Sequence, residues 1–124
     1  MANKTNFKKV IRAFSYALQG IWKAFATERN MQIHFVIAIL VVICGFIFDI
    51  NKTEWLVCLL CFGLVFGAEL INSAIENLVD LVSPEKHELA KNAKDMAAGA
   101  VLVCAIFSAI IGLIIFVPKV FILI

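Results

Sequence analysis

The chain has 124 residues, 63% of them hydrophobic and only 16% charged, with a mean hydropathy of +0.99. A soluble domain carries about a quarter charged residues, so this composition excludes an ordinary water-soluble core and asks for a bilayer. The formal net charge of +2 says little by itself. Its distribution points to anionic lipid head groups rather than nucleic acid, because the basic residues cluster in an arm beside a membrane chain.

The length and the lack of a linker or repeat indicate a single domain over residues 1–124. No secretory signal is expected, since residues 1–32 lack an apolar run followed by a small-residue cleavage site. The arm carries Lys4, Lys8, Lys9, Arg12, Lys23 and Arg29 against Glu28 alone. Within it, Phe7, Val10, Ile11, Phe14, Leu18, Ile21, Trp22 and Phe25 fall at the spacing of one helix face. The pattern predicts an amphipathic helix over residues 7–26, lying in the membrane surface with its basic side toward the head groups.

A first span is predicted over about residues 32–49, followed by the polar turn Asp49–Glu54, in which Asn51 or Thr53 would cap the next helix. Trp55 then sits where interfacial aromatics belong. A second span runs over about 55–75, and its helix continues past Asp80 until Ser83-Pro84 breaks it. The third span is predicted over about 95–117; the 21 residues from Ala97 to Val117 rise about 31 Å, enough to cross. Pro118 and Lys119 are expected to end it, leaving Phe121–Ile124 at the interface. The fold class is therefore all-α integral membrane: one surface helix and three spanning helices. Nine of the eleven basic residues lie in the arm and the 76–96 segment, which places the N-terminus and that segment in the cytoplasm.

The four cysteines, Cys44, Cys58, Cys61 and Cys104, all lie in apolar runs. Cys58-x-x-Cys61 has metal or redox spacing but no second pair to match it, so the thiols read as small membrane-helix residues. His34 and His87 read as ordinary interfacial residues.

Functional chemistry concentrates in the stretch Glu69-Leu-Ile-Asn72-Ser-Ala-Ile-Glu76-Asn-Leu-Val-Asp80. An acid at membrane depth is expensive and marks a functional site by default. At i, i+3, i+7 and i+11, Glu69, Asn72, Glu76 and Asp80 share one helix face, with Asp80 placed either to join the site or to pair near the helix end. Packing the spans together would gather Glu28, Glu69, Asn72, Glu76, Lys94 and Asp95 at one level. Carboxylates with a lysine suit Mg²⁺ and phosphate. No Walker-type Gly-rich loop or soluble-kinase motif set is present. On the residues alone, three readings stay open: phosphoryl transfer, a small proton-coupled transporter, and a structural membrane protein glued by a buried acid.

The run from Glu69 to Asp80, with Ala93-Lys94-Asp95 and Glu28, resembles the signature of the prokaryotic diacylglycerol kinase family. The resemblance implies a bacterial plasma-membrane lipid kinase that uses ATP and Mg²⁺, built as a homotrimer with active sites shared between subunits. It implies Glu69 as general base, and Glu28 and Glu76 as ligands of ATP-bound Mg²⁺. Asn72, Lys94 and Asp95 would position the γ-phosphate and nucleotide. Lys9, Tyr16 and the Glu85-Lys86-His87 loop match nucleotide-contacting positions, although the family often has arginine where this chain has Lys9. Thr27–Asn30, Gln32, His34, Ile43–Phe46, Ala97–Val101 and Ile110–Lys119 resemble the Gram-positive branch, whose members are similar to undecaprenol kinases, and His34 stands where the diacylglycerol-using branch tends to have an acid. That implies undecaprenol as the lipid alcohol, with diacylglycerol as the alternative.

Overall fold

The computed structural model describes residues 2–124, with side chains from Thr5 onward, so the side chain of Lys4 lies outside the described residues. Four helices follow in order: α1 (Ala2–Thr27), α2 (Arg29–Ile47), α3 (Lys52–Val82) and α4 (Glu88–Leu123). The last three are each long and apolar enough to cross a membrane. Their outward side chains, among them Phe35, Leu40, Leu60, Leu64, Leu102 and Phe107, are exposed. Such surfaces suit acyl chains, which are as apolar as leucine, or the apolar face of another membrane helix.

α1 touches the rest of the chain near its C-terminal end. Ala24 is buried there, and the Phe25 ring packs 5.4 Å from Phe35 and 5.5 Å from Phe66. A single extended residue, Glu28 (φ −92°, ψ 118°), separates α1 from α2. Gln32 ties the joint by donating its side-chain amide to the carbonyls of Phe25 (3.1 Å) and Ala26 (3.3 Å), groups that a helix end leaves without partners.

The turn between α2 and α3 is closed by local chemistry. Asp49 takes a left-handed conformation (φ 51°), which aspartate tolerates better than most residues. Asn51 then caps α3: its side chain accepts from the Glu54 N–H (2.8 Å), and the Glu54 carboxylate accepts from the Asn51 N–H (3.1 Å). This capping box satisfies two donors at once. Above it, the Phe46 and Trp55 rings pack at a tilt, their centroids 5.0 Å apart. Gly45 is required at this point, since a Cβ there would come within 2.5 Å of the Trp55 ring. A core of Ile50, Cys58 and Ile115, flanked by Phe48, Phe62 and Phe116, fills the space below.

α3 and α4 form the most extensive helix pair. Ser83 ends α3, its N–H reaching the Val79 carbonyl at 2.7 Å. His87 caps α4, its Nδ1 accepting from the Leu89 N–H at 3.1 Å. The sequence places the end of the last span at Pro118, but α4 runs through it to Leu123. Proline removes one donor without forbidding helical φ, and membrane helices tolerate it where neighbouring groups make up for the lost bond. Lys119, just beyond, reaches the Glu54 carboxylate at 3.0 Å and anchors this end of α4 to the α2–α3 turn.

Candidate active site

The buried face of α3 changes character along its length. Cys58, Cys61 and Val65 make its first part; Glu69, Asn72 and Ser73 continue it. The spacing keeps one stripe pointed inward, so an apolar seam turns polar at Glu69. Glu69 is 1% exposed, Asn72 4% and Ser73 8%. Glu69 Oε2, Asn72 Oδ1 and Ser73 Oγ are buried without a hydrogen-bond partner in the protein. Buried polar groups are nearly always paired, so three such atoms on one stripe mark a place built for something other than stability.

The expected companions are placed as follows. Glu76 is half-buried and accepts from Asn72 Nδ2 at 3.2 Å. Glu28, also half-buried, makes no capping bond with its side chain. Glu28 and Glu76 both lie within electrostatic reach of Glu69. The joint between α1 and α2 thus brings Glu28 to the same corner as the polar half of α3.

Lys94 and Asp95 make their contacts away from Glu69. Lys94 pairs with Asp80 across the α3–α4 turn, and the exposed Asp95 accepts from Lys91 at 2.6 Å. Asp80 therefore pairs near the helix end, one of its two expected roles. Lys9 and Tyr16 lie exposed on α1, Tyr16 at 63%. Glu85, Lys86 and His87 are exposed in the α3–α4 connection. One chain does not gather these five residues around Glu69.

His34 is a correction. It is no ordinary interfacial side chain: its Nε2 lies 3.9 Å from Glu69 Oε2, and its side chain is only 20% exposed. Sequence reasoning missed this contact, because it joins two helices and no periodicity within either one signals it. Ser73 went unassigned for a simpler reason, being one small polar residue within the motif.

Two openings lie beside residues of this corner. An apolar groove of about 490 Å³ lies between α2, α3 and α4, with Ala38, Cys58, Cys61, Val65 and Gly112 in its wall and His34 at the end nearest Glu69. A wider cleft of about 800 Å³ lies between α1 and α3, walled by Lys23, Thr27, Glu28, Ser73 and Asn77. Cys58 and Cys61 are free thiols in the groove wall.

Among the described residues no group of three or more His, Cys, Asp or Glu side chains is arranged to hold a metal ion. Glu28 and Glu76 offer two carboxylates, which suffice for Mg²⁺ when nucleotide phosphates and water complete its shell. The donor set fits a metal that arrives with its nucleotide, and not a resident all-protein site.

Comparison with known proteins bears on the same residues. A profile described as prokaryotic diacylglycerol kinase matches residues 15–116. The chain is 46% identical over 117 residues to the undecaprenol kinase of Bacillus subtilis, covering 94% of this chain and 95% of that protein. It is 44% identical over 101 residues to a diacylglycerol kinase of Synechocystis, covering 81% of this chain and 58% of that protein. Against a diacylglycerol kinase of Escherichia coli it is 33% identical over 108 residues, 87% of this chain and 88% of that protein. These matches decide between the kinase and transporter readings that the buried acid alone left open. The chain belongs to the prokaryotic diacylglycerol kinase family, as a multi-pass bacterial membrane protein and a lipid kinase with an alcohol acceptor.

Proposed function

We propose that this enzyme transfers the γ-phosphate of ATP to the hydroxyl of undecaprenol, giving undecaprenyl phosphate and ADP. The observation that carries the mechanism is Glu69: a carboxylate buried at membrane depth, one oxygen of which has no partner. A general base needs such an oxygen within reach of the proton it takes. The choice of undecaprenol draws support from likeness to the Bacillus subtilis undecaprenol kinase over nearly the whole of both chains.

The lipid alcohol enters sideways from the bilayer and presents its hydroxyl to Glu69. As the oxygen attacks the γ-phosphorus in line, its proton passes to the Glu69 carboxylate. The new O–P bond forms as the bond to the β–γ bridging oxygen breaks, and ADP leaves. Glu69 then gives up its proton to water. The triphosphate approaches from the cleft between α1 and α3, where Lys23 supplies positive charge. Glu28 and Glu76 would hold Mg²⁺ bound to the nucleotide, which neutralises charge on the transferring group. Asn72 spends one amide N–H on Glu76 and so fixes that carboxylate.

The active site faces the cytoplasm, where the basic arm and the 76–96 segment lie. Lys9, Tyr16, Glu85, Lys86, His87, Lys94 and Asp95 contact the nucleotide in a site shared between subunits of a homotrimer. Such sharing accounts for their dispersal over the exposed surface of one chain. α1 rests on the membrane surface beside this site. Diacylglycerol is the second reading, favoured by the relatives of that name.

Phosphate transfer from labelled Mg·ATP, measured with purified protein in mixed micelles, tests the proposal. Undecaprenol and diacylglycerol are offered separately and in competition. Undecaprenol should take most of the label; preferential labelling of diacylglycerol would replace the proposed acceptor with the second one.

A further inference from the structure

The apolar groove ends on His34, and His34 faces Glu69. The 3.9 Å between His34 Nε2 and Glu69 Oε2 is too long for a direct hydrogen bond. It is close to the separation that a single oxygen, about 2.8 Å from each atom, bridges once the two side chains part to admit it, since Glu69 Oε2 is itself closed off in the free chain. An alcohol oxygen suits that position on both sides, since it donates its proton to a carboxylate and accepts from an imidazole N–H. The carboxylate oxygen facing His34 is the one buried without a partner. In the neutral ring, the tautomer protonated on Nε2 is the one that fits.

We propose that His34 is the positioning residue for the acceptor: the lipid hydroxyl sits between His34 Nε2 and Glu69 Oε2, and its chain follows the apolar groove away from them. This rests on the reading of Glu69 as base in a polyprenol kinase. The groove follows α3 from Phe66 to Cys58, about 12 Å of helix, with His34 in its wall. Among the described residues, His34 and Ser108 are the polar members of its wall other than the thiols. A polyprenol carries one hydrocarbon chain on the carbon bearing its hydroxyl and needs no other donor. Diacylglycerol brings two ester groups beside its hydroxyl, and the groove offers their carbonyls no donor near His34. The occupant that matches this wall is therefore a single-chain alcohol.

Steady-state kinetics on undecaprenol and on Mg·ATP, for the wild type and for His34→Leu and His34→Gln in mixed micelles, test the assignment. Loss of one hydrogen bond to the acceptor should raise the KM for undecaprenol about ten-fold in His34→Leu. The KM for Mg·ATP should stay within about two-fold, as expected for a contact made to one substrate only. With its acceptor loosely held, this variant should also release more ADP per lipid phosphorylated, water taking the phosphate instead. His34→Gln, which keeps an N–H donor at similar reach, should recover most of the loss. If His34→Leu does not fold, His34→Asn takes its place, its amide being too short to bridge. An unchanged lipid KM in a folded His34→Leu or His34→Asn, beside a wild type active on undecaprenol, would overturn the role of His34 alone. So would a parallel rise in both KM values. A wild type that phosphorylates no polyprenol would instead remove the reading on which the inference rests.

Discussion

The two ends of the α2–α3–α4 bundle are built on opposite principles. At the Trp55 end, polar groups are paired: Asn51 and Glu54 cap each other, and Lys119 closes on Glu54. Phe46, Trp55 and Gly45 interlock above an apolar core. At the Glu69 end, the same inward stripe of α3 carries three buried polar atoms without partners. A chain that can satisfy its polar atoms so fully at one end does not leave them unpaired at the other through poverty of side chains. Stability is concentrated near Trp55, and chemical capacity is held in reserve near Glu69, where it costs free energy in the unliganded protein.

Glu69→Gln should break the comparison most sharply. The amide cannot take a proton, so turnover should fall by about 10³, within the range for loss of a positioned base. Thermal stability should hold or rise, because a buried carboxylate with an unpaired oxygen has been neutralised. Joint measurement of phosphate transfer and melting temperature checks both halves; a large loss of stability would mean that Glu69 is structural glue. Gly45→Val inverts the pattern. Its side chain drives into the Trp55 ring, and overpacking of this kind costs about 1–3 kcal/mol. Melting should shift downward while the fraction that remains folded transfers phosphate at the normal rate. The smallest effect is expected from Asn51→Ala, which removes half of the capping box and should cost about 1 kcal/mol. A melting curve in detergent would detect it, and the KM values for lipid and Mg·ATP should not move.

Most of the fold was legible in the sequence, because a bilayer enforces simple rules. Apolar run length gave the three spans, and Ser83-Pro84 and Asn51 gave their limits. Pro118 misled, since a proline that ends a helix in water can be carried within one in a membrane. In the site, the helical spacing of Glu69, Asn72 and Glu76 was readable because it lies within one element. The neighbours contributed by other helices were harder. Glu28 was placed at the level of the site by lining up the ends of the spans, whereas His34 entered only through resemblance to the Gram-positive branch and its contact with Glu69 was not foreseen, since the pairing of α2 with α3 is decided by packing that no single-helix pattern encodes. The ion pair of Lys94 with Asp80 is a similar case, in which a group read as facing phosphate is held by a carboxylate across a turn.

The joint at Glu28 has a mechanical side. α1 is 26 residues long, a rod of about 39 Å whose last turn is held by Gln32 and by the packing of Phe25 on Phe35 and Phe66. Rocking such a rod displaces each point in proportion to its distance from the fulcrum. A 10° swing carries Lys9, about 28 Å from Glu28 at helical rise, through about 5 Å, while Glu28 hardly moves. Were α1 to lie on the membrane surface, undulations of that surface would move its basic tip and leave the carboxylate at the joint almost in place.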